Sequence, residues 1–344
     1  MSRNSDERLV QTLLIAAAAG IFVLTVGSAK DASAATVEWA GSVDQDWENC
    51  DNWADGVCPG ETDDIILDDG DVVVLNSEFN LQGTLHIQQG AFLWLYPGAN
   101  LVNNGWVGNN GNIEIVGGTL DNHEELENAL GASINVSTNE DGGVLINRFS
   151  ATLNNNSNVN LFEGADLLNE GLILDFGWLS TYPGSMLQNE EFIAVYNTFT
   201  NSDGGVLNNG TIEVFPDGTF HANTGVQNDG TITIWCGATF TQVSILGTQP
   251  VILPCDPAEL TGDLIQEIEG TITNNNVKKS LLAPLKQVQK ILNDGNPDND
   301  SAACGKLDDF IATVNAKLSS GKLTPGQASD LISDANEIKQ AIGC

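Results

Sequence analysis

Short apolar runs recur along residues 81–250, and most of them follow the same polar motif. The motif is an apolar residue, any residue, Asn, any residue and usually Gly, followed by a short β-branched run. A turn signal such as Pro183-Gly184 follows most copies about ten residues later. From Asn169 onward the motif asparagines are 20, 19 and 20 residues apart. The copies begin at Leu101, Leu145, Leu167, Leu187, Val206 and Val226, and their asparagines are Asn103, Asn147, Asn169, Asn189, Asn208 and Asn228.

This period predicts a mostly β protein, a parallel β-solenoid with ~20-residue rungs. One rung cannot bury its apolar face alone, so stacked rungs would share a continuous core. An Asn at the same corner of every rung can pass a side-chain hydrogen bond to the next rung, and we expect an Asn ladder. The Gly that follows would allow a positive φ at that corner. A β-sandwich or a propeller is the alternative, but the nearly constant spacing favours the solenoid.

A change in composition near Pro257 marks a domain boundary. Before it the chain is rich in Gly, Asn, Val, Ile and Thr, whereas Lys, Ala, Leu and Gln at helical spacing follow it. Residues 251–257 are therefore predicted to be a linker, and residues 258–344 a small all-α domain of four helices. Thr324, Pro325 and Gln327 predict a capping box at the start of the fourth helix. The apolar positions that mark the helices are Leu264, Ile265 and Ile268, then Val277 to Leu292, then Leu307, Phe310, Ile311 and Val314, and last Leu331, Ile332 and Ile338.

This C-terminal segment resembles the FIMAH-type domain found at the ends of many secreted archaeal and bacterial proteins. The resemblance implies an accessory extracellular module and no catalytic activity. The stretch before the third helix is shorter and richer in Asp than is usual in that family. The residues that carry the resemblance are Leu307, Phe310, Val314, Ala316, Leu323, Thr324, Ala328, Leu331 and Ala335.

The N-terminus, residues 1–34, is predicted to be a signal peptide. Arg3 and Arg8 precede an apolar stretch, Leu9 to Gly27, and Ala32-Ser33-Ala34 is a small-x-small cleavage site. The apolar stretch is also nearly long enough to span a membrane, so a retained anchor is the alternative. We expect no transmembrane segment after cleavage, because no second apolar segment of that length follows.

Residues 35–80 are predicted to form a cap and the first coil. Trp39, Trp47 and Trp53 are followed by Pro59 and by paired aspartates. This pattern resembles the segment that opens the first coil in many prokaryotic surface-exposed β-solenoid proteins. The resemblance implies a cap, which solenoids need because an open end exposes strand edges.

The charge distribution limits the partners of this protein. Its net charge is −34, and residues 35–257 contain 31 acidic residues but one Lys or Arg, Arg148. Such a surface repels nucleic acids and anionic lipids, whose binding depends on Lys and Arg. We therefore expect no nucleic-acid partner. The surface attracts cations, but it can equally be a solvated coat that keeps the protein soluble.

The six cysteines fall into three local pairs, as expected in an oxidising compartment. We predict the disulfides Cys50–Cys58, Cys236–Cys255 and Cys304–Cys344, although other connectivities remain open at this point. The cysteine spacings match no zinc site.

Two acidic runs are candidates for calcium, which prefers oxygen ligands. The first belongs to the N-terminal module, and the second has alternating Asp and Asn residues between the second and third helices. The second run lacks the Gly and Glu of an EF-hand, and as a solvated turn it needs no metal. The candidate ligands are Asp44, Asp46, Glu48, Asp51 and Asp55 in the first run, and Asp294, Asn296, Asp298 and Asp300 in the second.

We find no convincing catalytic group and no required cofactor. Lyases with this fold need a basic residue, and Arg148 is the one candidate in an anionic field. The acids Asp166, Asp175, Asp203 and Asp229 are scattered, and His221 is isolated.

We therefore expect a non-enzymatic, secreted structural or adhesive protein of the cell surface. In this hypothesis an acidic solenoid rod carries a helical module for attachment or interaction. Its partners would be cell-surface or extracellular matrix components, with glycans and copies of itself among the candidates. The alternative is a calcium-assisted β-helix protein that binds or degrades carbohydrate, in which the tryptophans supply stacking surfaces.

Overall fold

The computed structural model describes residues 34–139, 141–242, 244–296 and 299–344. Apart from Ala34, the predicted signal peptide lies outside this range. Residues Ala35–Cys344 form one compact unit. No helix among the described residues is both long and apolar enough to cross a membrane.

The predicted parallel β-solenoid is confirmed. Three parallel sheets run along it, and in each turn the chain passes sheet 1, then sheet 2, then sheet 3. Sheet 3 has nine strands, one for each complete turn of the described chain. Turns of parallel strands rise by about 4.8 Å each, so nine turns give a rod about 45 Å long.

The strands of the three sheets alternate along the chain. Sheet 1 contains β1 (Thr36–Glu38), β2 (Asp64–Leu67), β5 (Thr84–Ile87), β8 (Trp106–Asn109), β11 (Glu125–Asn128), β15 (Thr152–Asn155), β18 (Leu172–Asp175), β21 (Phe192–Val195), β24 (Thr211–Val214), β27 (Thr231–Ile234) and β30 (Val251–Ile252). Sheet 2 contains β3 (Val72–Leu75), β6 (Phe92–Leu95), β9 (Asn112–Val116), β12 (Ser133–Asn139), β16 (Asn158–Leu161), β19 (Trp178–Thr181), β22 (Thr198–Asn201), β25 (Thr219–Ala222) and β28 (Thr239–Gln242), with β13 (Asp141–Gly142) paired to β12. Sheet 3 contains β4 (Glu78–Leu81), β7 (Asn100–Asn103), β10 (Thr119–Asn122), β14 (Val144–Asn147), β17 (Asp166–Asn169), β20 (Met186–Asn189), β23 (Gly205–Asn208), β26 (Val226–Asn228) and β29 (Ile245–Gly247).

The four-residue strands explain how the sequence builds the core. In most of them the second and fourth residues are buried and the first and third face outward, as in β2, where Ile65 and Leu67 are buried. This is the period-two alternation of a strand with one face in the core. The register repeats from turn to turn, so Leu167 lies over Leu145 and under Leu187. Fully burying each such side chain contributes about 1.5–3 kcal/mol, but only when a neighbouring turn covers it.

The predicted Asn ladder runs along the end of sheet 3. Each Nδ2 donates to the Oδ1 of the asparagine in the next turn, at 2.6–2.9 Å. The first Oδ1, of Asn103, accepts the N–H of Gly105, and the last Nδ2, of Asn228, donates to the carbonyl of Thr248. All seven side chains are fully buried. They are Asn103, Asn122, Asn147, Asn169, Asn189, Asn208 and Asn228.

Asn122 is the ladder member that the sequence pattern missed. It lies 19 residues after Asn103 but 25 before Asn147, because the β12–β13 hairpin lengthens that turn. Glu124 also takes the position two residues later where most copies have Gly, so the motif is hard to recognise.

The predicted reason for the motif glycines, a positive φ at the corner, is wrong. Gly171 and Gly210 do not have a positive φ. A Cβ on Gly171 would collide with the backbone carbonyls of Arg148 and Ala151 in the turn below, and Gly210 is crowded in the same way by Glu191. Glycine therefore allows the close stacking at these two corners, whereas Glu191 takes the same position after Asn189. The positive φ values lie at the other turn signals, for example at Gly184.

A second ladder, which the sequence analysis did not predict, runs along the end of sheet 1. Asn109 donates to Asn128, Asn128 to Asn155, and Asn155 to Oδ1 of Asp175, at 2.7–2.9 Å. Val195 takes the next position, so the hydrogen-bonded series stops at the aspartate.

The N-terminal module covers the start of the solenoid, as expected of a cap. Strand β1 pairs with β2, and the backbone around Asp46 bridges to Val74 in β3. The three tryptophans pack edge to face, with centroids 4.9 Å apart in each contact. Two short 3₁₀ turns, Cys50–Asn52 and Ala54–Gly56, follow, and Cys50 is bonded to Cys58.

The C-terminal region contains the four predicted helices. These are α1 (Pro257–Thr271), α2 (Asn275–Leu292), α3 (Ala302–Ser319) and α4 (Pro325–Ile342). The predicted capping box of Thr324 and Gln327 begins α4. Phe310, Leu307 and Leu331 are fully or almost fully buried in their shared core. The structure forms all three predicted disulfides, and Cys304–Cys344 joins α3 to the end of α4.

The segment predicted as a linker contributes a strand. Val251 and Ile252 form β30, which pairs with Thr233 and Ile234 of β27. The outer edge of β27 in sheet 1 thus gains a partner strand. Helix α1 then begins at Pro257, one residue before the predicted domain boundary.

We predict that Asn169→Val lowers the free energy of unfolding by about 1–3 kcal/mol, because it leaves buried polar groups of adjacent turns unpaired. Asn147 Nδ2 loses one of its acceptors, and Asn189 Oδ1 loses its donor. Asn154→Val is the matched control in the same turn, since Asn154 faces outward. It should change the stability by no more than about 0.5 kcal/mol. Equal effects in chemical denaturation would contradict the role of the ladder.

Candidate functional site

The first acidic run forms a turn network organised by Asn52. Asn52 is fully buried, and its Oδ1 accepts the N–H groups of Val43 and Asp44 at 2.9 and 3.0 Å. Its Nδ2 donates to Asp44 Oδ1 and to the carbonyl of Asp46. Asp44 also accepts the N–H of Asp46 and the side chain of Asn49. These hydrogen bonds, that of Asn52 foremost, lower the pKa of Asp44, so donors already stabilise this carboxylate.

Asp46 and Glu48 form a close carboxyl pair in the same module. Burial, and then the hydrogen bond to Asp46, raises the pKa of Glu48, while the hydroxyl of Ser77, which donates to Glu48, opposes the shift. Asp51 and Asp55 lie exposed in the two 3₁₀ turns, and Asp55 has a φ of 64°. The acidic residues of the first run are therefore spread over several successive backbone turns of the N-terminal module.

The second acidic run forms the loop between α2 and α3. Asp294 accepts the N–H of Asn296 and the side chain of Asn299, both at 2.8 Å. These bonds, with that of Asn299 first, lower the pKa of Asp294. The backbone carbonyl of Asp300 accepts a hydrogen bond from the first turn of α3. Asp298 lies outside the described residues.

Neither acidic run brings three described carboxylates within 4.8 Å of one another. One group at that spacing exists in the described part of the chain: Cys236, Cys255 and Glu337. The two sulfurs are bonded to each other and offer no thiolate to a metal. Glu337 Oε1 lies 3.7 Å from Cys236 Sγ, which places α4 beside the last turn of the solenoid. Calcium binding by the acidic runs stays a prediction.

Arg148 is held in an ion pair with its neighbours. Its Nε and Nη2 donate to the two carboxylate oxygens of Asp121 at 2.7 and 3.0 Å, and its Nη1 to Glu170 at 3.4 Å. The bond to Asp121 is the main reason that the pKa of Arg148 is raised. The guanidinium thus spans three adjacent turns as a structural ion pair, and it is a poor candidate for a base or a substrate clamp.

The other residues considered for catalysis lie on different elements. Asp166 is in β17, Asp175 in β18 and His221 in β25, whereas Asp203 follows β22 and Asp229 follows β26. No three of them lie within 4.8 Å of one another, all five being among the described residues. The structure therefore does not bring these acids and His221 into one close cluster.

The tryptophans of the N-terminal module do not offer sugar-stacking faces. Trp39, Trp47 and Trp53 are only 7, 4 and 2% exposed. The indole N–H of Trp53 donates to the carbonyl of Trp47 at 2.8 Å, as a buried indole requires. Their role is to fill the core of the cap.

An aromatic stack that the sequence analysis missed lies at the corner after sheet 1. Phe176, Tyr196, Phe215 and Trp235 follow consecutive strands and stack with centroids 4.5–5.9 Å apart and planes within 10°. Their spacing of 20, 19 and 20 residues was the available signal. Since the inner faces cover one another, the stack stabilises the corner and turns mainly ring edges to solvent.

An acidic groove between α1 and α4 was also missed. It has a volume of about 290 Å³ and a floor formed by Leu260 and Leu264. Burial, and then the hydrogen bond and charge of Asp334, raises the pKa of Glu267 to about 7. The four acids at its rim are Asp263, Glu267, Asp334 and Glu337.

Asp175 occupies an asparagine position in the second ladder. Its Oδ1 accepts from Asn155 at 2.7 Å, but its buried Oδ2 has no hydrogen-bond partner. Burial raises its pKa to about 7, while the hydrogen bonds from Asn155 and the N–H of Gly177 oppose the shift. Asn155 also donates to the carbonyl of Trp178, and the register places Thr198 in the same position one turn later. A protonated Asp175 can donate there, whereas a carboxylate cannot.

No family model matches the chain, and no curated protein matches it. The chain is similar to the crystal structure of the TibC-catalysed hyper-glycosylated TibA55-350 fragment, with 16% identity and a TM-score of 0.23. The similarity covers 55% of this chain and 76% of that chain. At this level it supports no conclusion about function.

We predict that Asp175→Asn stabilises the protein at pH 8 but has little effect at pH 4. Native Asp175 keeps its proton up to a pKa of about 7, whereas the unfolded chain loses it near its ordinary value of 3.8. The wild type therefore loses stability as the pH rises between these values. The expected gain at pH 8 is on the order of 1–4 kcal/mol.

Thermal denaturation at both pH values checks this, with exposed Asp229→Asn as the control. A gain in stability of Asp175→Asn that is the same at both pH values would contradict the raised pKa of Asp175.

The calcium prediction is checked by the thermal midpoint of residues 35–344 with calcium and with excess chelator. If the first run binds calcium, the ion raises the midpoint by mass action, and Asp46→Asn removes the rise. Asp294→Asn is the matched variant that assigns the effect to one run or the other. A midpoint that neither calcium nor chelator changes would contradict both sites.

Proposed function

We propose that this protein is a non-catalytic structural or adhesive protein of the cell exterior. In this proposal the solenoid is a stiff acidic rod, and the helical domain is its attachment or interaction module. The observation that carries the proposal is the buried, seven-membered Asn ladder. It links the side chains of seven consecutive turns into one hydrogen-bonded series.

The ladder and the core support a rod that resists bending. Each turn contacts its neighbours through three sheets, so no interior turn can open without breaking its contacts on both sides. The disulfides Cys50–Cys58 and Cys236–Cys255 lie at the two ends, where this mutual support is weakest. A spacer that holds a module away from a surface needs such stiffness.

Export is supported by the cysteines. The three disulfides use every cysteine of the chain, which is typical of proteins that fold in an oxidising compartment. The acidic rod suits surroundings that are rich in salt, because counterions screen its self-repulsion.

The non-catalytic part of the proposal is supported by the ion pairs that Arg148 forms. The basic residue that a uronate-cleaving site would need is bonded to Asp121 and Glu170. An acidic surface would also repel anionic sugar chains.

Two assays on cells that produce the chain and on the purified protein test the proposal. A membrane-impermeant amine reagent should label the lysines of the helical domain on intact cells. Beads coated with oxidised residues 35–344 should be retained on matrix or glycan surfaces, with reduced protein as the control. No soluble sugar fragment should be released from these surfaces. Labelling only after lysis would contradict export, and fragment release would contradict the non-catalytic role.

A further inference from the structure

The outward side of sheet 2 carries no acidic side chain over its last five strands. In β16, β19, β22, β25 and β28 the first and third residues face outward, and none of them is Asp, Glu, Lys or Arg. The acids of the same turns lie in the corners or on the other two sheets, as do Glu163, Asp203 and Glu213. We call the outward side of these five strands the neutral face.

Side chains on the neutral face form regular rows. The five strands pair in register, so equivalent positions repeat about every 4.8 Å along the rod. Most of these positions hold Thr, Ser or Asn. Four of the hydroxyls have no hydrogen-bond partner in the described part of the chain, and none of the four residues is buried. They are Ser180, Thr200, Thr219 and Thr239.

Trp178 lies on the neutral face with an exposed indole. It is 53% exposed, although the helical domain is present. Outside the cap, Trp94, Trp106 and Trp235 each contact another aromatic ring, whereas Trp178 contacts none among the described residues. Its indole N–H also lacks a hydrogen-bond partner within this range. An exposed indole offers both an apolar ring face and a polar donor, a combination that is enriched at binding surfaces.

Two further aromatic side chains border Trp178 in the same turn. Phe176 lies in the corner before β19 and Tyr182 in the corner after it, and they are 39 and 36% exposed. Phe162 stacks on one side of Tyr182 with a centroid distance of 5.1 Å. Ser202 takes the equivalent position in the next turn, so no aromatic ring covers the other side of Tyr182. This turn thus places three aromatic side chains beside the unpaired hydroxyls.

We infer that the neutral face binds an extended, uncharged, β-linked polysaccharide. A β-linked sugar ring has apolar C–H faces that can stack on the indole of Trp178. Its equatorial hydroxyls can donate to and accept from the unpaired hydroxyls of Ser180 and Thr200. Rows that repeat along the rod suit a ligand that is itself a repeat. This inference rests on the proposed adhesive function and names the chemistry of its ligand.

The charge distribution selects an uncharged ligand. Acids in the corners on both sides of the neutral face, such as Glu163 and Asp217, repel an anionic chain that approaches it. A basic partner would find its carboxylates in those corners and none on the neutral face itself. An uncharged glycan is the ligand that can contact Trp178 and the hydroxyl rows without a charge penalty.

Titration of oxidised residues 35–344 with a soluble neutral β-glucan, and separately with chitin oligosaccharides, tests the inference by tryptophan fluorescence. Because the indole of Trp178 is exposed, we expect the emission to shift to shorter wavelength when a glycan covers it. Trp178→Thr should remove the shift and weaken binding, measured by affinity electrophoresis or calorimetry, by more than about tenfold. Threonine occupies this position in the next three turns, so the strand is retained.

A second variant and a control locate the binding surface. Thr200→Val removes one hydroxyl and should weaken binding by about three- to tenfold. Phe149→Ala, at a 75% exposed position in the corner after sheet 3, is the matched control and should have no effect. Polygalacturonate is the anionic comparison and should cause no shift.

Three results would overturn the inference: no binding of either neutral probe, a preference for polygalacturonate, or equal binding by Trp178→Thr and the wild type. Labelling of intact cells and retention on protein matrix surfaces test the proposed function separately. Adhesion to such surfaces that persists in Trp178→Thr, together with any of these three results, would overturn this inference alone and leave the adhesive function in place.

Discussion

The hydrogen bond between side-chain amides in adjacent turns is the interaction on which this fold depends. A buried amide is costly unless both its donor and its acceptor are paired. Asparagine at the same corner of seven consecutive turns solves this problem repeatedly, because within the series each Oδ1 accepts from one neighbour and each Nδ2 donates to the other. The ladder also closes properly at its ends, on the N–H of Gly105 and the carbonyl of Thr248. It thereby fixes the register of sheet 3, and through it that of the other two sheets.

The same requirement explains how much of the fold could be predicted. The motif spacing identified six of the seven ladder asparagines and the solenoid, because a repeated corner needs a repeated residue. It missed Asn122, where the β12–β13 hairpin changes the interval. The reason for the motif glycines was wrong, since the crowding by carbonyls of the turn below is a contact between turns that no local rule reveals.

The candidate sites were less predictable than the fold. Proximity in sequence suggested two acidic clusters, but turn geometry uses Asp44 and Asp294 as acceptors for neighbouring amides. The groove around Glu267 joins residues of α1 and α4 that are far apart in the chain. The cysteine pairs, in contrast, were predicted correctly, because each pair closes a local loop at an end of the solenoid or within the helical domain. Two of the three disulfides thus lie at the ends of the solenoid, where a turn has a neighbour on one side only.

The stiffness of the rod depends on the ladder being a continuous, buried and stable series in solution. Hydrogen exchange of the asparagine side-chain amides, measured by NMR on protein labelled with ¹⁵N at asparagine, tests this most directly. The Nδ2 protons of Asn122, Asn147, Asn169, Asn189 and Asn208 should exchange slowly and with similar opening free energies, because an interior turn opens only with its neighbours. Fast exchange at these positions, at rates like that of exposed Asn209, would contradict the account.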